Sequence, residues 1–203
     1  LRMISSSQAL VVAGSYLKST AEIRELNLLG TMLEEYTKKE IQAASFENLV
    51  CDYLESNASN ESLYIPEIFF RILWSKPYET IQKYTSAFSC LTIVNFQNRI
   101  SQKMFSLFSN VKALKLIGHY ESISAIRNIS NQLVRLELCD YSKKFDFYEL
   151  NHYLFDALNT LHFFSNRSLY INGYDCEALK SITDLGLYLY DPMSEVLFGG
   201  FGI

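Results

Sequence analysis

The sequence predicts an α/β solenoid, a stack of strand-loop-helix units that share one apolar interior. Two observations carry that expectation. The six-residue pattern apolar-x-x-apolar-x-apolar recurs along the 203-residue chain with central residues 26, 49, 72, 91, 114, 136, 161 and 185. The steps average about 23 residues, a period typical of stacked strand-and-helix repeats. Between the copies, the apolar spacing changes from alternation to the three-and-four rhythm of a helix face. So short a pattern arises often in a chain that is 49% hydrophobic, and it is the even spacing that carries the inference.

The elements follow in order. Ile23, Leu26 and Leu28 predict a strand, and residues 34–44 a connecting helix. Phe46, Leu49 and Cys51, then Phe69, Ile72 and Trp74, keep the spacing with less typical residues. The second of these sets has a competing reading: Pro66 suits a first helical turn, and Ile68, Phe69, Ile72 and Leu73 could equally line a helix face. Residues 55–66, between the two sets, read as an irregular insertion. Phe88, Leu91 and Ile93 predict the next strand, with a helix marked by Ile100, Met104, Leu107 and Phe108. Val111, Leu114 and Leu116 follow, then a shorter helix over 123–129, then Leu133, Leu136 and Leu138. Phe147, Leu150, Leu154 and Phe155 have helical spacing before the strand of Leu158, Leu161 and Phe163. A helix over 175–181 leads to Ile182, Leu185 and Leu187, and the closing Gly199-Gly200-Phe201-Gly202 reads as a severed turn. With no Met at Leu1 and no closing element, the expectation is a fragment of a longer array.

Composition bounds the function. Charged residues are 20% and aromatic residues 14%, with only 8 Gly and 3 Pro, so an ordered chain is expected. Lys and Arg number 18 against 22 Asp and Glu, a net charge of −4, whereas a phosphate-binding surface needs a basic excess. Nucleic acid is therefore not an expected partner. Cys51, Cys90, Cys139 and Cys176 lie far apart without a Cys-x-x-Cys pair, which predicts buried thiols instead of a zinc or redox site. The Asn-x-Ser sequons at Asn57, Asn60, Asn128 and Asn166 are what an Asn- and Ser-rich chain produces by chance. No run approaches the ~20 apolar residues of a membrane span, and residues 9–13 are too short a run for a signal peptide. The expected setting is soluble, cytoplasmic or nuclear.

The repeats resemble the leucine-rich-repeat superfamily, especially the irregular, helix-containing repeats of fungal and other eukaryotic F-box-type proteins. The resemblance covers roughly residues 23 to 190. It implies a single domain with a curved parallel sheet on the concave face and helices on the convex face. In the family an Asn or Cys follows the last strand Leu. Asn166 stands at that place, while His119 and Tyr141 occupy it in other units. The family binds other proteins on the concave side, which implies a partner-binding module and the substrate-receiving part of an F-box-type ubiquitin-ligase adaptor as one setting. No segment of the chain reads as an F-box, so an adaptor would be met through flanking segments.

Alternation along the strands nominates the binding row. If Leu114 and Leu116 face the core, Lys115 faces away. The row runs through Asn27, Thr92, Lys115, Glu137, His162 and Gly186, with Ile117, Arg135, Phe164 and Tyr188 one step along. Lys115, Ile117, Arg135, Glu137, His162, Phe164 and Tyr188 are the expected partner-binding residues, although Phe164 and Tyr188 could merely cover edges of the core. His162 is expected to meet Glu137 across adjacent strands, as a titrating or an ordinary polar pair. Leu114→Asp or Leu136→Asp should unfold more than one repeat, because a charge would lie unpaired between layers.

No enzyme motif is present, and no catalytic residue, metal or cofactor is expected. His119, His152 and His162 lie outside any His-Glu-x-x-His or nucleophile-elbow context. Glu149, His152 and Asp156 share a helical face, which reads as solvated before it reads as a metal site. Trp74, Phe69 and Phe70 read as core. The rival to a binding module is a purely structural scaffold; an enzyme with active residues on the 55–66 insertion finds no support in the sequence.

Overall fold

Six strands form one all-parallel sheet whose neighbours follow chain order, β1 (Ser62–Pro66), β2 (Cys90–Val94), β3 (Ala113–Ile117), β4 (Arg135–Cys139), β5 (Thr160–Ser165) and β7 (Asp184–Leu189). A two-stranded parallel sheet pairs β6 (Leu169–Asn172) with β8 (Val196–Gly199). Helices α1 (Glu67–Ile72), α2 (Tyr78–Thr85) and α3 (Gln102–Phe105), and 3₁₀ turns over Ser124–Asn128 and Ser130–Gln132, connect the earlier strands. The computed structural model describes residues 50–52, 54–55, 57–59, 61–72, 77–94, 96–98, 100, 102–118, 122–139, 150, 153, 155–165, 169–172, 180–190 and 196–199. The expected strand near Leu26, the helix over 34–44, Asn27, Trp74, His119, Tyr141, Glu149, His152 and Asn166 lie outside them.

Parallel neighbours need a crossover between successive strands, and the intervals of about 20 residues between them supply its length. Register is fixed by the leucines: Leu63, Leu91, Leu114, Leu136, Leu161 and Leu185 stand in one row across the sheet. Slipping a strand by one residue would turn its apolar set to the other face. One bond pattern recurs at the start of every strand of the six-stranded sheet after β1. Two successive N–H groups donate to a single carbonyl of the preceding unit: Ser89 and Cys90 to Glu61, Lys112 and Ala113 to Ser89, Val134 and Arg135 to Lys112, Asn159 and Thr160 to Val134, Thr183 and Asp184 to Asn159.

The core lies between one sheet face and the connectors. Leu114, Leu116, Leu136, Leu138, Leu161 and Phe163 are buried from the sheet side, and Met104, Phe105, Phe108, Ile126 and Ile129 from the connectors. At the end of β3 two backbones nearly touch. Gly118 has φ +156°, and a Cβ there would fall on the Phe96 carbonyl oxygen and 2.5 Å from its nitrogen. Only glycine permits that approach. No helix among the described residues is long and apolar enough to cross a membrane.

Several expectations need correction. At Phe69 and Ile72 the expected strand gives way to helix α1, the competing reading of those residues, and the strand lies at Ser62–Pro66, within the stretch read as an insertion. Leu63 and Ile65 alternate inward there, whereas Phe69 and Phe70 are buried on a helix. Pro66 has no N–H to give, so it closes the strand and admits the helix. Behind it the buried Glu67 carboxylate accepts the N–H groups of Gln97 and Ile100, which fixes α1 to the next unit. The strand expected near Leu49 meets helical residues at Val50, Cys51, Asp52, Leu54 and Glu55. Phe155 is buried without being helical, after a turn closed by Tyr153 N–H on the Leu150 carbonyl. Gly199 ends strand β8 and does not sit in a turn. Cys139 is buried as expected, but Cys51 and Cys90 are only half-buried.

Candidate functional site

The sheet face opposite the core carries every residue expected to bind. Lys115 and Ile117 project there from β3, Arg135 and Glu137 from β4, His162 and Phe164 from β5, and Tyr188 from β7, each alternating with a core-facing neighbour. The register places Thr92, Lys115, Glu137, His162 and Gly186 side by side, at the roughly 4.8 Å spacing of paired strands. Arg135 and Tyr188 are exposed, Lys115, Ile117, Glu137 and Phe164 are half-buried and His162 is buried; Ile117 also packs against the core.

Glu137 organises the charges. Its Oε2 accepts Lys115 Nζ at 2.8 Å, and its Oε1 accepts Arg135 Nε at 2.7 Å and Nη2 at 2.6 Å. Burial works against both ionised ends. For the Glu137 carboxyl, the hydrogen bonds and charges of Lys115 and Arg135 outweigh that burial and hold it below the usual carboxylate range. For the Lys115 ammonium, burial is again overcome, by the Glu137 hydrogen bond and by attraction to surrounding groups, and the net shift is upward. Both side chains are therefore ionised at neutral pH, and each holds the other in place.

Beside this network lies an aromatic stack. The Phe164 and Tyr188 rings are 4.6 Å apart and inclined by only 8°, with Tyr190 stacked on Phe164 at 6.3 Å. Lys115 Nζ stands 4.9 Å from the centre of the Phe164 ring, a cation-π contact that joins the two groups. His162 meets Phe164 and Tyr188 edge to face. Gly186 makes the arrangement possible: a Cβ there would lie 2.6 Å from Tyr188 Cε2 and 2.7 Å from His162 Cδ2. The stack stands on the face away from the core, and Tyr188 is 45% exposed. Phe164 is half-buried beneath it.

His162 does not meet Glu137. Its Nε2 lies 3.0 Å from Asp184 Oδ2 on β7. Both Glu137 oxygens are already engaged by Lys115 and Arg135 in charge-assisted bonds. The space left by Gly186 admits the His162 ring toward β7 instead. Sequence reasoning missed Asp184, Tyr190 and Tyr64 on this face, as well as Thr160 beside Arg135. Asp184 and Tyr190 sit one alternation step before and after Gly186 and Tyr188, so extending the period by a residue at each end would have found them. Tyr64, exposed at the β1 position of the row, was hidden by the misplaced strand.

Among the described residues no three His, Cys, Asp or Glu side chains come together to hold a metal ion. Asp156 is exposed, while its expected companions Glu149 and His152 lie outside the described residues. The face carries fixed charges, a cation over a ring, and the exposed rings of Tyr188 and Tyr190. Comparison of the chain with protein-family models, with curated proteins and with solved structures finds no match.

Proposed function

We propose that this chain is a protein-binding module of the leucine-rich-repeat superfamily and that its outward sheet face receives a polypeptide partner. The observation that carries the reading is the stack of exposed Tyr188 and Tyr190 on half-buried Phe164, held beside pre-ordered charges on the face that the core does not use. Aromatic side chains and arginine supply most hot spots of protein interfaces. Here stacking and ion pairing already restrict them, so less freedom is lost on binding. The chain-order sheet and the recurring bond at each strand start suit a stack in which every unit leans on its neighbours. The substrate-recognition part of an F-box-type ubiquitin-ligase adaptor, in cytoplasm or nucleus, is the setting that the resemblance supports.

The test combines cross-linking with substitution. A photo-cross-linking residue at Thr92 or Thr160, both on the face, should capture a partner that the same residue at Arg127, on a connector, does not. Joint replacement of Lys115, Glu137, His162 and Phe164 by alanine should abolish the capture while circular dichroism reports an unchanged fold. Equal recovery by the folded variant would remove the binding role and leave the scaffold reading.

A further inference from the structure

The proposed face is not chemically neutral along its length, and we infer that the segment it takes presents an acidic side chain and, two residues on, an aromatic one. This rests on the binding role proposed above and adds the chemistry of the partner. Lys115 and Arg135 share one carboxylate, Glu137, whose two oxygens they occupy. Two cations on one anion leave a surplus positive charge over β3 and β4. Arg135 Nη1 makes no bond among the described residues, and the Lys115 and Arg135 side chains are 33% and 49% exposed. An incoming carboxylate meets donors that are already aimed and already charged.

The next step along the face is aromatic. Phe164 lies under Lys115 and begins the stack that continues through Tyr188 and Tyr190. From the charged pair to the ring stack is one to two strand spacings, about 5–10 Å. Side chains at i and i+2 of an extended segment stand roughly 6.5–7 Å apart on one face. An acid at i over Lys115 and Arg135 therefore sets the residue at i+2 on the rings. Direction is supplied by Asp184, whose side chain is 59% exposed and engages His162 through one oxygen. It repels an acid laid over β7 and so keeps the acidic end over β3 and β4. A basic segment meets the surplus cation first and gains only a carboxylate that His162 already shares.

The experiment uses the 203-residue protein and three fluorescein-labelled hexapeptides with an extended Gly/Ser frame. One carries Glu and Phe two residues apart, one has Lys for Glu, and one has Ala for Phe. Anisotropy at about 20 and about 300 mM salt reads affinity and screening. The Glu-Phe peptide should bind on the order of fivefold more tightly than either control, with the difference from the Lys peptide shrinking at high salt. Joint Lys115→Ala and Arg135→Ala should remove that preference, and Asp184→Asn should tighten Glu-Phe binding by roughly twofold. Equal or better binding of the Lys peptide overturns the inference, as does an affinity indifferent to the Lys115 and Arg135 changes. A concentration-dependent dimer in sedimentation, lost in Tyr188→Glu, would assign the face to a second copy and overturn it too. Sequencing the segments cross-linked at Thr160 separates the two levels of failure. Captured segments without an acid-x-aromatic pair sink this inference alone, whereas no capture sinks the binding role beneath it.

Discussion

Leu136→Ala and Leu185→Ala change the same residue type in one register row of the sheet, yet they should differ severalfold in cost. Leu136 is 0% exposed, on a strand with neighbours on both sides, whereas Leu185 is 45% exposed. Truncating Leu136 forfeits its transfer free energy and leaves a cavity enclosed between layers, together about 3–4 kcal/mol. At Leu185 about half of the transfer term was never gained and solvent enters the vacated space, so the expected cost is about 1 kcal/mol. Urea denaturation followed by circular dichroism reads the difference directly. With a slope of ~2 kcal/mol per molar, the midpoint should fall by about 1.5–2 M for Leu136→Ala and ~0.5 M for Leu185→Ala. Equal shifts, or a larger one for Leu185, would refute the placement of the core. So would a Leu136 cost below about 1 kcal/mol.

Three further outcomes follow from the same geometry. Because Glu137 is held below its ordinary range, its stabilisation is complete above the unfolded value of ~4.3 and is lost as pH falls through the lower folded value. Lys115 is raised, so its contribution is complete below ~10.4 and is lost as pH rises through its folded value. Urea midpoints across pH should show both limbs; Glu137→Gln should flatten the acid limb at a cost of about 1 kcal/mol at pH 7, and an unchanged acid limb refutes the clamp. Gly118→Ala should cost about 1–3 kcal/mol, since its Cβ meets the Phe96 backbone at a φ that alanine rarely adopts, and an unaltered melting temperature would contradict that close approach. Gly186→Ala meets only side chains, so it should cost under ~1 kcal/mol while weakening the near-ultraviolet dichroism of the Tyr188 stack. Retention of the full aromatic signal would show that Gly186 is not what admits the rings.

The outward sheet face gains its order from competition within it. Lys115, Arg135 and Glu137 come from adjacent strands and satisfy one another, which turns His162 away to Asp184. That separation keeps the cationic surplus over β3 and β4 distinct from the exposed carboxylate on β7. The aromatic stack lies beside both, supported on one side by Lys115 and on the other by the absence of a side chain at Gly186.

By itself the sequence determined strands β2, β3, β4, β5 and β7 and their register, because an apolar period of two marks one face and an even spacing sets each strand against its neighbour; their parallel direction was what the family resemblance implied. The sequence likewise determined that the seven nominated residues share the outward face, since alternation leaves them no other. It did not place β1, where apolar residues in α1 imitated the strand pattern at nearly the right interval. Nor did it find β6 and β8, whose four-residue runs carry no repeated signature. The pairing of His162 with Asp184, the contrast between Leu136 and Leu185, and the ring stack over Gly186 were decided by tertiary structure alone. Periodicity fixes which way a side chain points, but its partner is chosen among groups from several strands competing through space, and its burial by what the rest of the chain lays over it.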